Sequence, residues 1–386
     1  MAVYSLPNIG RGVDFLAFYQ AARAMLHGGD PYSARNFVSA PGLAALLEPL
    51  ARLPFRAAYW VFTVVTGLLG AGTVVLVGRD LGWRHPELLA AGALVSWIGF
   101  SGLLQGQVDA LLLAILLGSI LLLTRGRTVA AGVVVGLFWL KPDVMWPLVA
   151  FAGVALWPER RALLHYLAGL LLTSLLFLGL GAAYLSTWMH ALLGLGARAG
   201  GQTDLAGLPV LLSAAPPGWG LGTGFRSPVT WTLIVVILAG LSWLAYRIAT
   251  SKQWLQLPRP RRILWAVGLP MALWLLVTPY AHPYDDLLVL PLLMLVVGKD
   301  AVATREWGPA IAILLMAGAP IVWLWIPIEV SWLGVAALLL AAAATLRREM
   351  APGGIGMGEA VLVGEDSNPP LTRVQPRPGG GDHPSP

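Results

Sequence analysis

The sequence contains no cysteine and few charged residues. Without Cys, the protein forms no disulfide, thiolate nucleophile or iron–sulfur cluster. Charged residues make up only 11% of the 386 residues, whereas an average soluble domain has about 25%. The six His include no HExxH pair for zinc, and we expect neither a metal nor another cofactor.

The apolar content is correspondingly high. Apolar residues account for 57% of the chain, which includes 17 Trp, and the mean hydropathy is +0.74. This composition is typical of a polytopic α-helical membrane protein. The 25 basic residues exceed the 19 acidic ones, but they are scattered between apolar runs. We therefore expect membrane lipids and no nucleic acid as partners, with the basic residues acting as topology signals.

Apolar runs separated by short polar loops begin at residue 57 and continue to residue 346. They predict an all-α membrane domain, a bundle of about eleven transmembrane helices. Several runs are shorter than the roughly 20 residues of a full span, and residues 128–157 can also form a short hairpin that crosses only partly. The runs are 57–78, 88–104, 110–124, 128–140, 143–157, 162–181, 228–247, 263–279, 284–298, 307–326 and 331–346.

The two ends of the chain differ from this domain. Residues 1–56 contain two short amphipathic stretches, one from about Phe15 to His27 and one from about Pro41 to Arg52. Their mixture of Leu, Phe, Ala and Arg favours helices that lie on a membrane surface. Residues 351–386 are rich in Gly and Pro, which predicts a disordered tail.

The basic residues of alternate loops are unequally distributed. One set of loops and the tail contain seventeen Arg and Lys, whereas the other set contains only Lys141, Arg198 and Arg226. The positive-inside rule therefore predicts a multi-pass protein of the cell membrane with a cytoplasmic tail. The five Arg of residues 1–56 then lie on the outer side against the rule, so we expect a further span before residue 1, or a start codon that was assigned too late.

Polar side chains collect at the predicted outer ends of the runs, whereas no run has an ionisable residue at its centre. Ionisable groups near the bilayer midplane are common in proton-coupled transporters and channels, so their absence disfavours these classes. The pattern favours an active site on the exoplasmic face. Its polar segments are Asp14 to Tyr32, Gln105 to Asp109, Lys141 to Asp143, Tyr184 to Ser227 and Tyr280 to Asp286.

Several of these segments carry a family resemblance. The ordered stretches DFLAFYQAARAMLHGGDPY (14–32), LPFRAAYW (53–60), GQVDALLLAILLGSILLLTRGR (106–127), AGVVVGLFWLKPDV (131–144) and YAHPYDDLLVL (280–290) resemble glycosyltransferase family 87. This family comprises polyprenol-phosphate-mannose-dependent membrane α-mannosyltransferases of GT-C fold. The resemblance implies inverting transfer of a hexose, with mannose as the expected sugar, from a polyprenyl-phosphate donor to an extracytoplasmic lipid or glycan acceptor.

The chemistry needs few groups, because a polyprenyl phosphate is already a good leaving group. A carboxylate that accepts the proton of the acceptor hydroxyl and one or two cations for the phosphate are sufficient. The resemblance implies that Asp14 is this base. On residue pattern alone, the helix N-cap interpretation of Asp14 is favoured over the base, because Asp14 lies just before a predicted helix.

The other candidate residues also have two interpretations each. Lys141 either holds the donor phosphate or places its ammonium at the membrane boundary, and His282 either donates to the phosphate or belongs to an interfacial aromatic belt. Adjacent Asp285 and Asp286 suggest a metal less than they suggest a helix cap, because neighbouring side chains diverge around a helix. The expected substrate-binding residues are Tyr19, Gln105, Gln107, Asp109, Tyr280, Tyr284 and Asp285.

Two other functional classes remain open on the sequence alone. A transporter or lipid flippase would also place polar loops outside the membrane. A non-catalytic membrane assembly subunit would need no base or phosphate ligand. Only transfer chemistry would create a new glycosidic bond, so this property separates the three classes.

Overall fold

The computed structural model describes residues 12–83, 85–198, 228–278, 282–297 and 331–350. Every regular element among them is helical, as the sequence predicts. Short 3₁₀ segments occur at Pro31–Ser33, Gly136–Leu140, Ala182–Tyr184 and Pro283–Val289. The α-helices are α1 (Val13–Leu26), α2 (Pro41–Ala51), α3 (Phe55–Asp80), α4 (Pro86–Val95), α5 (Trp97–Gln105), α6 (Asp109–Thr124), α7 (Thr128–Val135), α8 (Pro142–Ala155), α9 (Arg160–Leu180), α10 (Leu185–Arg198), α11 (Pro228–Thr250), α12 (Lys252–Gln256), α13 (Arg259–Val277), α14 (Leu290–Val297) and α15 (Ser331–Glu349).

Four helices of the described part of the chain, α3, α9, α11 and α13, are long and apolar enough to cross a membrane. The number is five if α4 and α5, which meet at a 60° bend, form one broken span. The predicted count of about eleven spans is therefore not confirmed. Helices α7 and α8 are too short for a full span at 1.5 Å per residue, and the predicted run 307–326 lies outside the described residues.

The outer faces of the long helices are apolar. On α9, Leu164, Leu171 and Leu175 are 65%, 59% and 61% exposed. Such a continuous leucine surface is unfavourable in water, whereas it matches the hydrocarbon of a bilayer. The exposed faces thus support the membrane interpretation of the composition.

Both amphipathic stretches predicted before residue 57 are helices. Helix α1 ends at Leu26 and is followed by Gly28 in the left-handed conformation, with φ = 73°. Helix α2 begins at Pro41, whose fixed φ suits the first helical position. The two helices pack against each other. Leu43 of α2 is buried, and Phe15 of α1 is buried beside Phe62 of α3, with ring centroids 4.9 Å apart.

Ion pairs join the loops that the positive-inside rule assigns to the cytoplasm. Asp80 at the end of α3 pairs with Arg125 after α6, with 2.9 Å between Oδ1 and the guanidinium. Glu159 before α9 pairs with Arg259 at 3.1 Å and with Arg262 at 2.8 Å. The Cβ position of Gly126 also lies 3.7 Å from the Arg259 guanidinium, which links the two sets of ion pairs. These basic loops therefore lie at one end of the bundle, as the alternation of loops predicts.

Helices α7 and α9 approach each other through glycines. A Cβ atom on Gly169 of α9 would collide with the backbone of α7 at Val129 O and would lie 2.8 Å from Val133 N. A Cβ atom on Gly132 of α7 would likewise collide with Tyr166 O. The absence of side chains at these positions is what permits the backbones to touch.

This contact predicts a position-specific loss of stability. Gly169→Leu should lower the free energy of unfolding by more than about 2 kcal/mol, because the added side chain must push two helix backbones apart. Gly179→Leu on the same helix is the matched control, since nothing lies within 4 Å of its Cβ position. The check is the thermal unfolding midpoint of the detergent-purified protein. Equal midpoints for the two variants would contradict the packing.

Candidate functional site

Residues from four distant segments meet at the end of the bundle opposite the basic loops. They come from the start of α1, the turn between α5 and α6, the start of α8, and the 3₁₀ segment Pro283–Val289. Helix α6 fixes this arrangement, because Asp109 begins it on the site side and Arg125 follows it on the other. Four of the five predicted polar segments thus contribute to this site. The described part of the fifth, residues 184–198, instead donates hydrogen bonds to the carbonyl oxygens of Gly29 and Val38.

Gln107 joins two of these segments to its own turn. Its Nε2 atom donates to Asp14 Oδ2 over 2.7 Å and to the Tyr284 hydroxyl oxygen over 3.0 Å. These partners are 93 and 177 residues away in the sequence. The amide therefore holds the candidate base and the late outer segment in one arrangement.

Asp14 lies within the first turn of α1. The N-cap position belongs to Gly12, with φ = 71° and ψ = 27°, and no side chain caps the helix there. The alternative that Asp14 is the N-cap is therefore wrong, because the helix begins at Val13, two residues earlier than that alternative requires. The first turn still favours a carboxylate, since the helix N-terminus carries partial positive charge.

Tyr59 and Gly12 secure the start of α1. The Gly12 amide and the Tyr59 hydroxyl both donate to Leu104 O, each over 2.9 Å. The end of α5 thus determines where α1 begins, and with it the place of Asp14. Sequence reasoning did not identify Tyr59 in LPFRAAYW as a positioning residue.

Lys141 occupies a nearly buried charge cluster. Its Nζ atom lies 2.5 Å from Asp285 Oδ1 and 3.7 Å from Asp109 Oδ1. The Lys141 side chain is 16% exposed, whereas those of Asp109 and Asp285 are 2% and 0% exposed. The ion pair joins the start of α8 to the starts of α6 and of the segment 283–289.

The surroundings of Lys141 act on its pKa in two opposite directions. Burial by itself lowers the pKa of Lys141. The nearby carboxylates of Asp109, Asp285 and Asp143 outweigh burial and raise the pKa above its ordinary value. The acidic partners therefore favour the positively charged form of Lys141.

Aromatic and imidazole rings lie beside this cation. The His282 and Tyr284 rings stack with centroids 4.9 Å apart and an angle of 14°. The Lys141 ammonium lies 5.2 Å from the centroid of the Tyr284 ring, a distance compatible with a cation–π contact. Asp285 Oδ2 also accepts a hydrogen bond from the His282 backbone amide over 2.8 Å. The helix-cap interpretation of Asp285 is therefore confirmed.

The remaining predicted site residues occupy different environments. Tyr19 is 7% exposed and donates its hydroxyl to Leu53 O over 2.8 Å, which ties α1 to the turn before α3. Gln105 ends α5 and is half-buried, and Tyr280 lies outside the described residues. Within the described ranges, no group of three or more His, Asp or Glu side chains is arranged to hold a metal ion.

The fold and this cluster define a helical protein with membrane-length helices and a polar site at one end. A model of glycosyltransferase family 87 matches residues 37–279, more than half of the chain. The chain therefore belongs to glycosyltransferase family 87, as its resemblance implies. The match includes Gln107, Asp109 and Lys141, whereas Asp14 and the segment 282–286 lie beyond it. A comparison with curated proteins found no match.

Proposed function

We propose that this glycosyltransferase is a membrane enzyme of GT-C architecture that transfers a hexose, with mannose as the expected sugar. The donor is a polyprenyl-phosphate sugar and the acceptor an extracytoplasmic lipid or glycan. The observation that supports this most is the meeting of a carboxylate, Asp14, and a buried cation, Lys141, at the same end of the bundle through Gln107 and Tyr284. These are the two charges that the reaction needs.

In the proposed reaction, Asp14 accepts the proton of the acceptor hydroxyl. The resulting oxygen nucleophile bonds to the anomeric carbon as the bond from that carbon to the phosphate oxygen breaks. The electron pair of this bond leaves with the polyprenyl phosphate, and Asp14 holds the proton. Attack opposite to the leaving group inverts the configuration. No nucleotide-binding loop is needed, since the donor arrives through the membrane.

The phosphate is the proposed partner of Lys141 and His282. An ammonium has three N–H donors, and Asp285 takes one of them at 2.5 Å while Asp109 lies at a longer 3.7 Å. Another donor can therefore point toward a phosphate oxygen. The Tyr284 ring, which stacks on His282, offers a flat surface beside this position.

The proposed sugar and acceptor contacts come from the predicted polar residues of the same end. Besides Tyr284, they include Tyr19, Gln105, Gln107, Asp109, Tyr280 and Asp285. The ion-paired basic loops at the opposite end of the bundle support a proposal for the side of the membrane. If these loops are cytoplasmic, the site is exoplasmic and the C-terminal tail is cytoplasmic.

A transfer assay tests the proposed function. The full chain in lipid nanodiscs, supplied with radiolabelled polyprenyl-phosphomannose and a membrane lipid extract, should move the label into a new product. Mild acid cleaves the sugar phosphate but not an ordinary glycosidic bond, so acid-stable lipid-soluble label is the measurement. A transporter or an assembly subunit would leave all of the label acid-labile, which would reject the proposal.

A further inference from the structure

The Gln107 side chain lies between Asp14 and Tyr284. A primary amide has two N–H donors on one nitrogen, and Gln107 Nε2 lies within hydrogen-bond distance of both Asp14 Oδ2 and the Tyr284 hydroxyl oxygen. The two donors are thus matched by two acceptors. Such an amide has a single favourable orientation, and the carboxylate that it contacts is oriented with it.

The backbone of Gln107 is also restrained. Gly106 ends α5 in the left-handed conformation, with φ = 72°, and the Gln107 amide donates to Gly102 O over 2.8 Å. A Cβ atom on Gly106 would lie 2.5 Å from Phe15 Cβ. Because Phe15 directly follows Asp14, this turn is packed against the backbone that carries the carboxylate. The position of the amide relative to Asp14 is therefore set by both main chain and side chain.

We propose that Gln107 is the positioning residue of the base, which it orients and keeps ionised through the Asp14 Oδ2 hydrogen bond while Tyr284 holds the amide in place. The inference rests on the proposed function, in which Asp14 accepts the proton. A hydrogen bond to the ionised form of a carboxylate favours that form. A neutral donor does so without the strong attraction of an ion pair, so the carboxylate still accepts a proton during transfer.

The inference predicts a change in the pH profile of transfer. Gln107→Leu should move the acid limb of kcat/KM to higher pH by about one unit, the tenfold change in protonation expected for the loss of one charge-assisted hydrogen bond. Gln107→Glu, which is nearly isosteric, should move the limb further, because a second carboxylate beside Asp14 disfavours its ionised form. Tyr284→Phe should give a smaller shift than either, since the Gln107 to Asp14 bond remains.

Gln20→Leu is the matched control. Gln20 lies on the same helix as Asp14 and is exposed, so its replacement should leave the profile unchanged. The inference would be overturned if a folded Gln107 variant has a higher KM for donor or acceptor but an unchanged acid limb of kcat/KM. Gln107 would then be a substrate contact. If Gln107→Leu does not fold, the profile of Gln107→Glu decides the question in the same way.

The failure of this inference is distinguishable from that of the proposed function. If Asp14→Asn keeps transfer within a few-fold of the parent, Asp14 is not the base and the inference falls with it. If Asp14→Asn abolishes transfer but both Gln107 variants keep the parental acid limb, the base stands and the positioning role alone is rejected. If Asp14→Asn is inactive and the acid limb of kcat/KM shifts in both Gln107 variants as described, the proposed function and the positioning role of Gln107 are both supported.

Discussion

Asp14→Asn is expected to abolish glycosyl transfer and to leave the protein folded. Asn keeps an oxygen that accepts the Gln107 hydrogen bond, but it takes no proton from an acceptor hydroxyl. The expected loss in kcat is about 10² to 10⁴-fold, the usual contribution of a general base. The unfolding free energy should fall by no more than about 1 kcal/mol, because the substitution removes a charge from the first turn of α1.

The comparison for this variant is Asp30→Asn. Asp30 is exposed and accepts a hydrogen bond from the Tyr32 backbone amide over 2.9 Å, a role that Asn fills about as well. Transfer should be unchanged in Asp30→Asn, which separates the loss of a base from the general effect of an Asp-to-Asn change. Transfer by Asp14→Asn within a few-fold of the parent would move the search for the base to another carboxylate, such as Asp109.

The second large effect is expected at Lys141. Lys141→Met leaves the buried carboxylates of Asp109 and Asp285 without their cation. Removal of one member of a buried ion pair typically costs about 3–5 kcal/mol, so the unfolding midpoint should fall sharply. The segment 283–289 should also be displaced, because Asp285 connects it to the start of α8.

The double variant Lys141→Met/Asp285→Asn separates structural from catalytic roles. Removing both charges together abolishes the closer of the two ion pairs, that with Asp285 at 2.5 Å, whereas Asp109 at 3.7 Å still lacks its cation. Asn still accepts the hydrogen bond of the His282 amide, so part of the lost stability should return. The KM for the lipid donor should nevertheless stay at least tenfold above the parental value, because the proposed phosphate ligand is absent. If the stable double variant has the same KM for the lipid donor as the parent, Lys141 does not bind the phosphate. Its role is then only to hold the segment 283–289 in place.

Local features of this protein are readable from the sequence because they depend on neighbouring residues. The two helices before residue 57 are predicted with nearly correct ends, since Gly28 and Pro41 act on their own turns. Membrane character follows from composition, and the order of the family motifs predicts the family. The N-cap interpretation of Asp14 is wrong by two residues, because Leu104, a residue of another helix, accepts the Gly12 amide and so helps to set where α1 begins.

The sequence by itself therefore determined an all-helical membrane protein, its apolar runs and the polar segments available for a site. The tertiary structure alone decided which polar residues meet. Gln107 contacts Asp14 across 93 residues and Tyr284 across 177, and Lys141 contacts Asp285 across 144. No local pattern encodes such pairs, since they follow from how the helices pack. A buried charged group is stable only beside a partner of opposite charge, and the tertiary structure supplies that partner. The site is therefore defined by the tertiary structure.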